Sequence, residues 1–409
     1  MKKEDDTPVD VYSSHLNILR MMGLWRYSGK DSFKQRLYLT YTCSVVMCTM
    51  IVLCLAMARL YIARNDVEEV SFNLSTNVLT GGIIVKCFFM VYSSKTVEKL
   101  FRWLHEDSLQ NSDPEEVEAY ENFKKSFLML KKAVYFLSGL SLMVWLCFSF
   151  VTIIWEPRKL PFSLWAPVNL ESDTNFYVLL VSEVAVGLYV AVLSANTELT
   201  MFSIFFQTIS QYRVLGLRFV QIKNFHDSLK NGKSNFRRAQ EVNSKIKFLL
   251  EKCVRKHWTL QEYVPTSSCD SVPESQSSKR VGFFPGTLHT TDTVDYTVVY
   301  LKQSNTKITM KWYCQTIYSM IIISDVFTVC YLATLLLEQE DRVFNAVCDL
   351  PWYEMNYDIR KRLITIMIGL QKKQVLTICK ILKIDLTIFT WFVKVVTSWL
   401  TLLRQMIRS

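Results

Sequence analysis

The sequence predicts an all-α polytopic membrane protein with a cytoplasmic N-terminus, and three observations carry that prediction. Half of the residues are hydrophobic and mean hydropathy is +0.16, although 21% of residues are charged. The apolar residues gather into stretches of about 20, long enough to cross a ~30 Å hydrocarbon core as helices. The loops between these stretches alternate in their content of Lys and Arg. The net charge of +10 is confined to particular loops and forms no continuous basic face. The lipid bilayer is therefore the expected environment, and nucleic acid is not an expected partner.

The same composition excludes other classes. The eleven cysteines and five histidines form no C-x-x-C pair and no metal-ligand spacing, so the cysteines read as small hydrophobes and no metal is expected. No glycine motif cradles a phosphate, and no cofactor is expected. The scattered carboxylates have no catalytic spacing, which leaves an enzyme without support.

Taken in order, residues 1–36 form a polar, basic lead-in on the cytoplasmic side. They hold no apolar core long enough for a cleavable signal, so the first span is expected to serve as the membrane signal. That span, 37–58, is free of charge. The second, about 70–92, is interrupted by Gly81, Gly82 and Lys86, which points to packing against protein. Asn73-Leu74-Ser75 is a glycosylation sequon on the outer side, either occupied or unused.

Residues 93–132 are polar, but Val97, Leu100, Phe101 and Leu104, then Phe123, Phe127 and Leu130, recur at helical spacing. They are expected to extend the neighbouring spans into water as helices. The third span is 133–155. A loop with Pro157, Pro161 and Pro167 follows, bracketed by Trp155 and Trp165 at interface depth. The fourth span, 176–206, is charged only at Glu183 and Glu198. Residues 209–263 are basic, mostly helical and cytoplasmic.

Orientation follows from the basic residues. The lead-in, 93–132 and 209–256 are rich in Lys and Arg, whereas 59–69 and 156–174 hold two each. The N-terminus therefore lies inside and the chain runs out, in, out, in. This is the reverse of a G-protein-coupled receptor.

Residues 264–311 break the pattern. They are Ser/Thr-rich and punctuated by proline, with Pro285, His289, Asp292 and Asp295 across their most apolar part. The apolar pattern resumes over 312–337, a basic segment follows to 383, and 384–403 crosses last. Six spans counted in this way put basic residues 338–374 on the wrong side. One crossing is missing between His257 and Trp312, and an odd number of spans restores consistency.

The last span reads F-T-W-F-V-K-V-V-T-S-W-L-T-L-L-R from Phe389 to Arg404. A lysine at mid-span, Lys394, costs ~2.5–3.5 kcal/mol on insertion scales. The helix either faces water or protein, as a pore helix would, or is an ordinary span whose lysine snorkels.

Phe389, Lys394, Ser398, Trp399, Leu402, Leu403 and Arg404 resemble the C-terminal signature of insect odorant receptors, with Trp399 where Tyr is usual. Ala346-Val347 with Trp352-Tyr353 is similar to that family's motif after its sixth span. Gln371-Lys372-Lys373 resembles its Gln-Lys-Pro, with Lys373 replacing the proline. Leu160-Pro161-Phe162 with Trp165 and Pro167 resembles its second outer loop, and Cys253-Val254 with His257 the opening of its fifth span. The resemblance covers 12–262 and about 312–409. In between, 264–311 stands as an anomalous polar insert in place of the fifth span, as a misjoined exon boundary would leave.

The resemblance implies a seven-span fold divided as 1–36 cytoplasmic segment, 37–208 spans one to four with the ligand pocket, and 209–263 cytoplasmic anchor helices. After the insert come 312–337 as span six, 338–383 as cytoplasmic anchor, and 384–409 as pore-lining span seven with an extracellular C-terminus. It implies an odorant-tuned subunit that binds a small volatile ligand. With a shared co-receptor it would form a heterotetrameric, nonselective cation channel in the plasma membrane of olfactory sensory neurons. Val393, Val396 and Thr397 share one helix face and either line the pore or pack on other helices. Span directions place Trp145, Phe148, Thr152, Phe176, Tyr177, Leu180 and Glu183 in the outer half of the bundle, where each either contacts ligand or takes a core or lipid-facing position. Glu183, an ionisable group in an apolar span, either contacts ligand or makes a structural hydrogen bond. The alternatives are a gustatory receptor of the same superfamily, whose signature usually differs, and a membrane transporter, for which no internal repeat is found.

Overall fold

The computed structural model describes residues 14–25, 31–62, 77, 81–88, 90–92, 94, 97–99, 101, 113–155, 172–231, 244, 246–251, 253–254, 310–371, 377–378 and 382–408. The first element is α1 (Ser14–Met21), which buries His15, Leu16 and Leu19 on one face. Gly23 ends it with φ of 80°, while Leu24 N–H donates to Leu19 O at 3.0 Å and Gly23 N–H to Arg20 O at 3.1 Å. That pairing is a Schellman termination, which favours glycine at its left-handed position. The last carbonyls of α1 and those of the turn after it are satisfied from neighbouring helices: Tyr38 donates to Arg20 O, Tyr41 to Met21 O, Tyr189 to Met22 O and Thr42 to Gly23 O. With Leu24 and Trp25 also buried, part of the lead-in is a core element.

The first span lies within α2 (Ser32–Ile62), where only Thr42 and Ala56 are buried and Leu37, Leu39, Met47, Ile51 and Met57 are exposed. An exposed apolar surface of this kind suits hydrocarbon. Helical residues of the second span form α3 (Gly81–Tyr92). The third span and its polar extension are one helix, α4 (Pro114–Trp155), opened by proline and by Glu115 and Glu116 at the positive end of its dipole. The fourth span and the start of the basic block are likewise one helix, α5 (Asp173–Asn231). Ser32–Ile62, Pro114–Val151 and Asp173–Ser228 are long and apolar enough to cross a membrane.

Beyond lie α6 (Met310–Cys348), a 3-10 turn (Trp352–Glu354), α7 (Tyr357–Gln371) and α8 (Leu386–Arg408). Between α7 and α8 a small antiparallel hairpin pairs β1 (Thr377–Ile378) with β2 (Leu382–Lys383). The β-branched pair Thr377-Ile378 suits a strand. Among the described residues the fold is all-α apart from this hairpin.

α5 is the central helix and packs on α1, α4 and α6. Leu193, Leu199, Phe202, Ile209, Tyr212, Leu215, Phe219 and Ile222 form its buried face. Towards its C-terminal end Arg218 donates two bonds to Glu116, from Nε to Oε1 at 2.9 Å and from Nη2 to Oε2 at 3.0 Å. Both residues are buried, and the fork geometry satisfies the carboxylate.

α5 and α6 run parallel. Going down both helices, Glu198 faces Asp325, Tyr212 faces Glu340, and Gly216 lies against Val343. Below them His226 Nε2 comes within 4.0 Å of Glu354. At 1.5 Å per residue, Met310 stands ~50 Å along α6 from Val343. The chain thus leaves α5 at one end of the bundle and enters α6 at the other, separated by more than the 40–45 Å of a whole bilayer. Residues 264–309 of the anomalous segment themselves lie outside the described residues.

Candidate ligand pocket and pore helix

Phe176, Leu180 and Glu183 occur at i, i+4 and i+7 on α5 and share its inward face: Phe176 and Glu183 are buried, Leu180 half-buried. Tyr177 stands on the other side, 63% exposed, with its ring edge-on to Phe176 at 5.6 Å. Trp145 is half-buried on α4. The side chains of Phe148 and Thr152, and all of Asn73, lie outside the described residues.

Deeper along α5 the inward face turns polar. Tyr135 O–H donates to Asn196 Oδ1 at 2.9 Å, and Asn196 Nδ2 donates to Val192 O at 2.7 Å. Lys86 of α3 donates to Glu198 Oε1 at 3.2 Å, and Ser194 Oγ donates to the same oxygen at 3.0 Å. Asp325 of α6 lies beside this pair, facing Glu198. Lys86 and Glu198 stand out in sequence as charges within spans. Asp325 was missed, although the same signal, a lone acid inside 312–337, marks it.

α8 starts where Asp385 Oδ1 accepts from Ile388 N–H at 3.0 Å, an N-cap. Leu386 N–H donates to Thr334 Oγ1 of α6 at 3.1 Å. The Phe389 ring meets Phe327 of α6 edge-on at 5.3 Å, and Phe327 stacks on Tyr331. Phe392 is 7% exposed on this packed side, whereas Val393 is 38% exposed. Thr390, Lys394, Thr397 and Ser398 are exposed with Val393. The Thr397 hydroxyl bonds back to Val393 O and Lys394 O. The helix runs through Val396, Trp399, Leu402, Leu403 and Arg404, whose side chains lie outside the described residues.

Electrostatic shifts around α1 and the lower part of α5 follow burial. Burial first, then the Lys131 charge, push the His15 imidazole down to about 3. Lys131, which donates to Ser14 Oγ, is itself lowered by burial. Burial, then the nearby Glu340, raise the Tyr212 phenol.

The sequence matches the family described as 7tm odorant receptor over residues 66–268 and 296–397, well over half of the chain. The chain belongs to the seven-transmembrane odorant receptor family. This is a family of membrane receptors and not an enzyme class. The odorant receptor match omits 269–295, inside the anomalous segment, and reaches further into that segment from both sides than the motifs do. No curated protein matches the chain. The insect olfactory receptor OR5 from Machilis hrabei has the same fold, with a TM-score of 0.71 at 16% identity over 96% of this chain and 97% of that one. The same receptor in complex with eugenol gives a TM-score of 0.72 at 15% identity over 97% of each chain.

Proposed function

We propose that this odorant receptor is an odorant-tuned subunit that binds a small volatile ligand and gates a nonselective cation channel together with a shared co-receptor. The observation that carries the channel reading is the two-sidedness of α8. One side rests on α6 through Phe389, while Val393, Lys394 and Thr397 lie on an uncovered side. A lysine in hydrocarbon is costly, and a water-filled path shared with other subunits removes that cost. Side chains such as Val393 constrict such a path by dewetting.

The ligand is assigned to the region of Trp145, Phe176, Leu180 and Glu183, with Phe148 and Thr152 on the same stretch of α4. A similar receptor is described in complex with eugenol, which supports a small organic ligand. The assembly is proposed as a heterotetramer in the plasma membrane of olfactory sensory neurons, with 209–263 and 338–383 as its cytoplasmic anchor. A panel of volatiles applied to cells tests this. Currents are expected only when the co-receptor is co-expressed, whereas saturable uptake without conductance would favour a transporter.

A further inference from the structure

We propose that Lys86, Glu198 and Asp325 form an intramembrane latch that restrains α6 and thereby sets how readily the pore helix moves. The proposal rests on the channel reading above. The ion pair joins Lys86 of α3 to Glu198 of α5, and Asp325 of α6, which packs on α5, lies beside Glu198, so one cluster of charged groups meets three helices. The ion pair spans 3.2 Å, and its side chains are only 17% and 15% exposed. In such surroundings a paired charge resists separation, because each partner left alone would remain desolvated.

α6 is the element through which this restraint reaches the pore helix. Asp325 and Phe327 are two residues apart, on opposite sides of α6. Asp325 faces α5, whereas Phe327 supports Phe389 of α8 at 5.3 Å. One turn beyond Tyr331, Thr334 accepts the N-terminal amide of α8. Outward movement of α8 must therefore either carry α6 away from Glu198 or shear the Phe327–Phe389 contact. The ligand region lies on the same helix as Glu198, four turns up at Glu183, so α5 joins both. The two-state element is α6, and the network biases its position.

The test is electrophysiology on Glu198→Gln, Asp325→Asn and the charge swap Lys86→Glu/Glu198→Lys, each co-expressed with the co-receptor. Surface labelling of the subunit and reversal potential are measured in parallel. The latch predicts that E198Q and D325N raise ligand-independent current and lower the half-activating concentration about tenfold, a usual size for coupling between sites. Reversal potential should stay unchanged, and the swap should return the half-activating concentration close to the starting value. A purely structural role would instead lower surface amount and maximal current with the half-activating concentration fixed, and would overturn the latch. An unaltered receptor that passes no current overturns the channel reading and the latch with it. Normal currents with unshifted variants overturn the latch alone.

Discussion

Gly23 closes α1 at a position where two constraints coincide. Its φ of 80° disfavours any residue with a Cβ, and a Cβ built there would stand 2.6 Å from Tyr41 Cε1. Gly23→Ala is therefore expected to cost about 1–2 kcal/mol from backbone conformation, and more if Tyr41 gives up its bond to Met21 O. A fall in the thermal midpoint of detergent-purified protein checks this, and an unchanged midpoint would contradict it. His15 makes a second prediction at this scale. It is buried, neither ring nitrogen has a hydrogen-bond partner among the described residues, and its folded value is lowered to about 3 against 6.5 for the free side chain. Between these values the unfolded chain binds a proton that the folded chain refuses, so this contribution to stability is complete above 6.5 and falls with pH, by about 1.4 kcal/mol per unit. Thermal midpoints from pH 7 to 5 should drop in the unaltered protein and drop less in His15→Leu. Single residues were unevenly legible in the sequence. Lys86, Glu183, Glu198 and Lys394 stand out because charge in an apolar run is costly. That Lys86 and Glu198 face each other, and that Asp325 joins them, depends on helix packing that spacing alone does not determine.

The elements follow the hydrophobic pattern closely, because helices crossing a bilayer must satisfy their own backbone groups. The extension of span three as α4 was legible in Phe123, Phe127 and Leu130 at helical spacing, and that of span four as α5 in the mostly helical reading of the block from 209. Two features were not. The buried face of α1 is short and lies within a charged segment, so composition masks it. The β1–β2 hairpin is four residues of paired backbone with no periodicity to detect. The α4–α5 junction makes the prediction proper to this scale. Arg218 and Glu116, with side chains 1% and 3% exposed, are expected to lose about 3–5 kcal/mol when either is neutralised alone, since the partner is left charged and buried. Glu116→Gln and Arg218→Met should each depress the thermal midpoint, and the double variant Glu116→Leu/Arg218→Met should recover much of the loss. A double variant as unstable as the sum of the two would show that the residues are not coupled and would contradict this account.

At the scale of the molecule, the basic-residue alternation and the parallel run of α5 and α6 agree. The alternation of basic residues calls for one more crossing between these helices. Charge in the sequence speaks to sidedness, whereas neighbour relations between helices depend on packing that the pattern does not carry. The requirement bears on 264–311, which lacks a run of about 20 apolar residues. A transcript from olfactory tissue in which an apolar span replaces part of this segment is the expected finding. A single transcript encoding 264–311 as it stands would contradict the misjoined-boundary reading. The central claim, that α8 lines a conducting path, has a direct test in its two sides. Val393→Cys, Thr397→Cys and Phe392→Cys are co-expressed with the co-receptor, and volatile-evoked current is recorded before and after a charged thiol reagent. The account predicts lasting block of V393C and T397C, and none of F392C or the unaltered receptor. Block of F392C with V393C spared would contradict it.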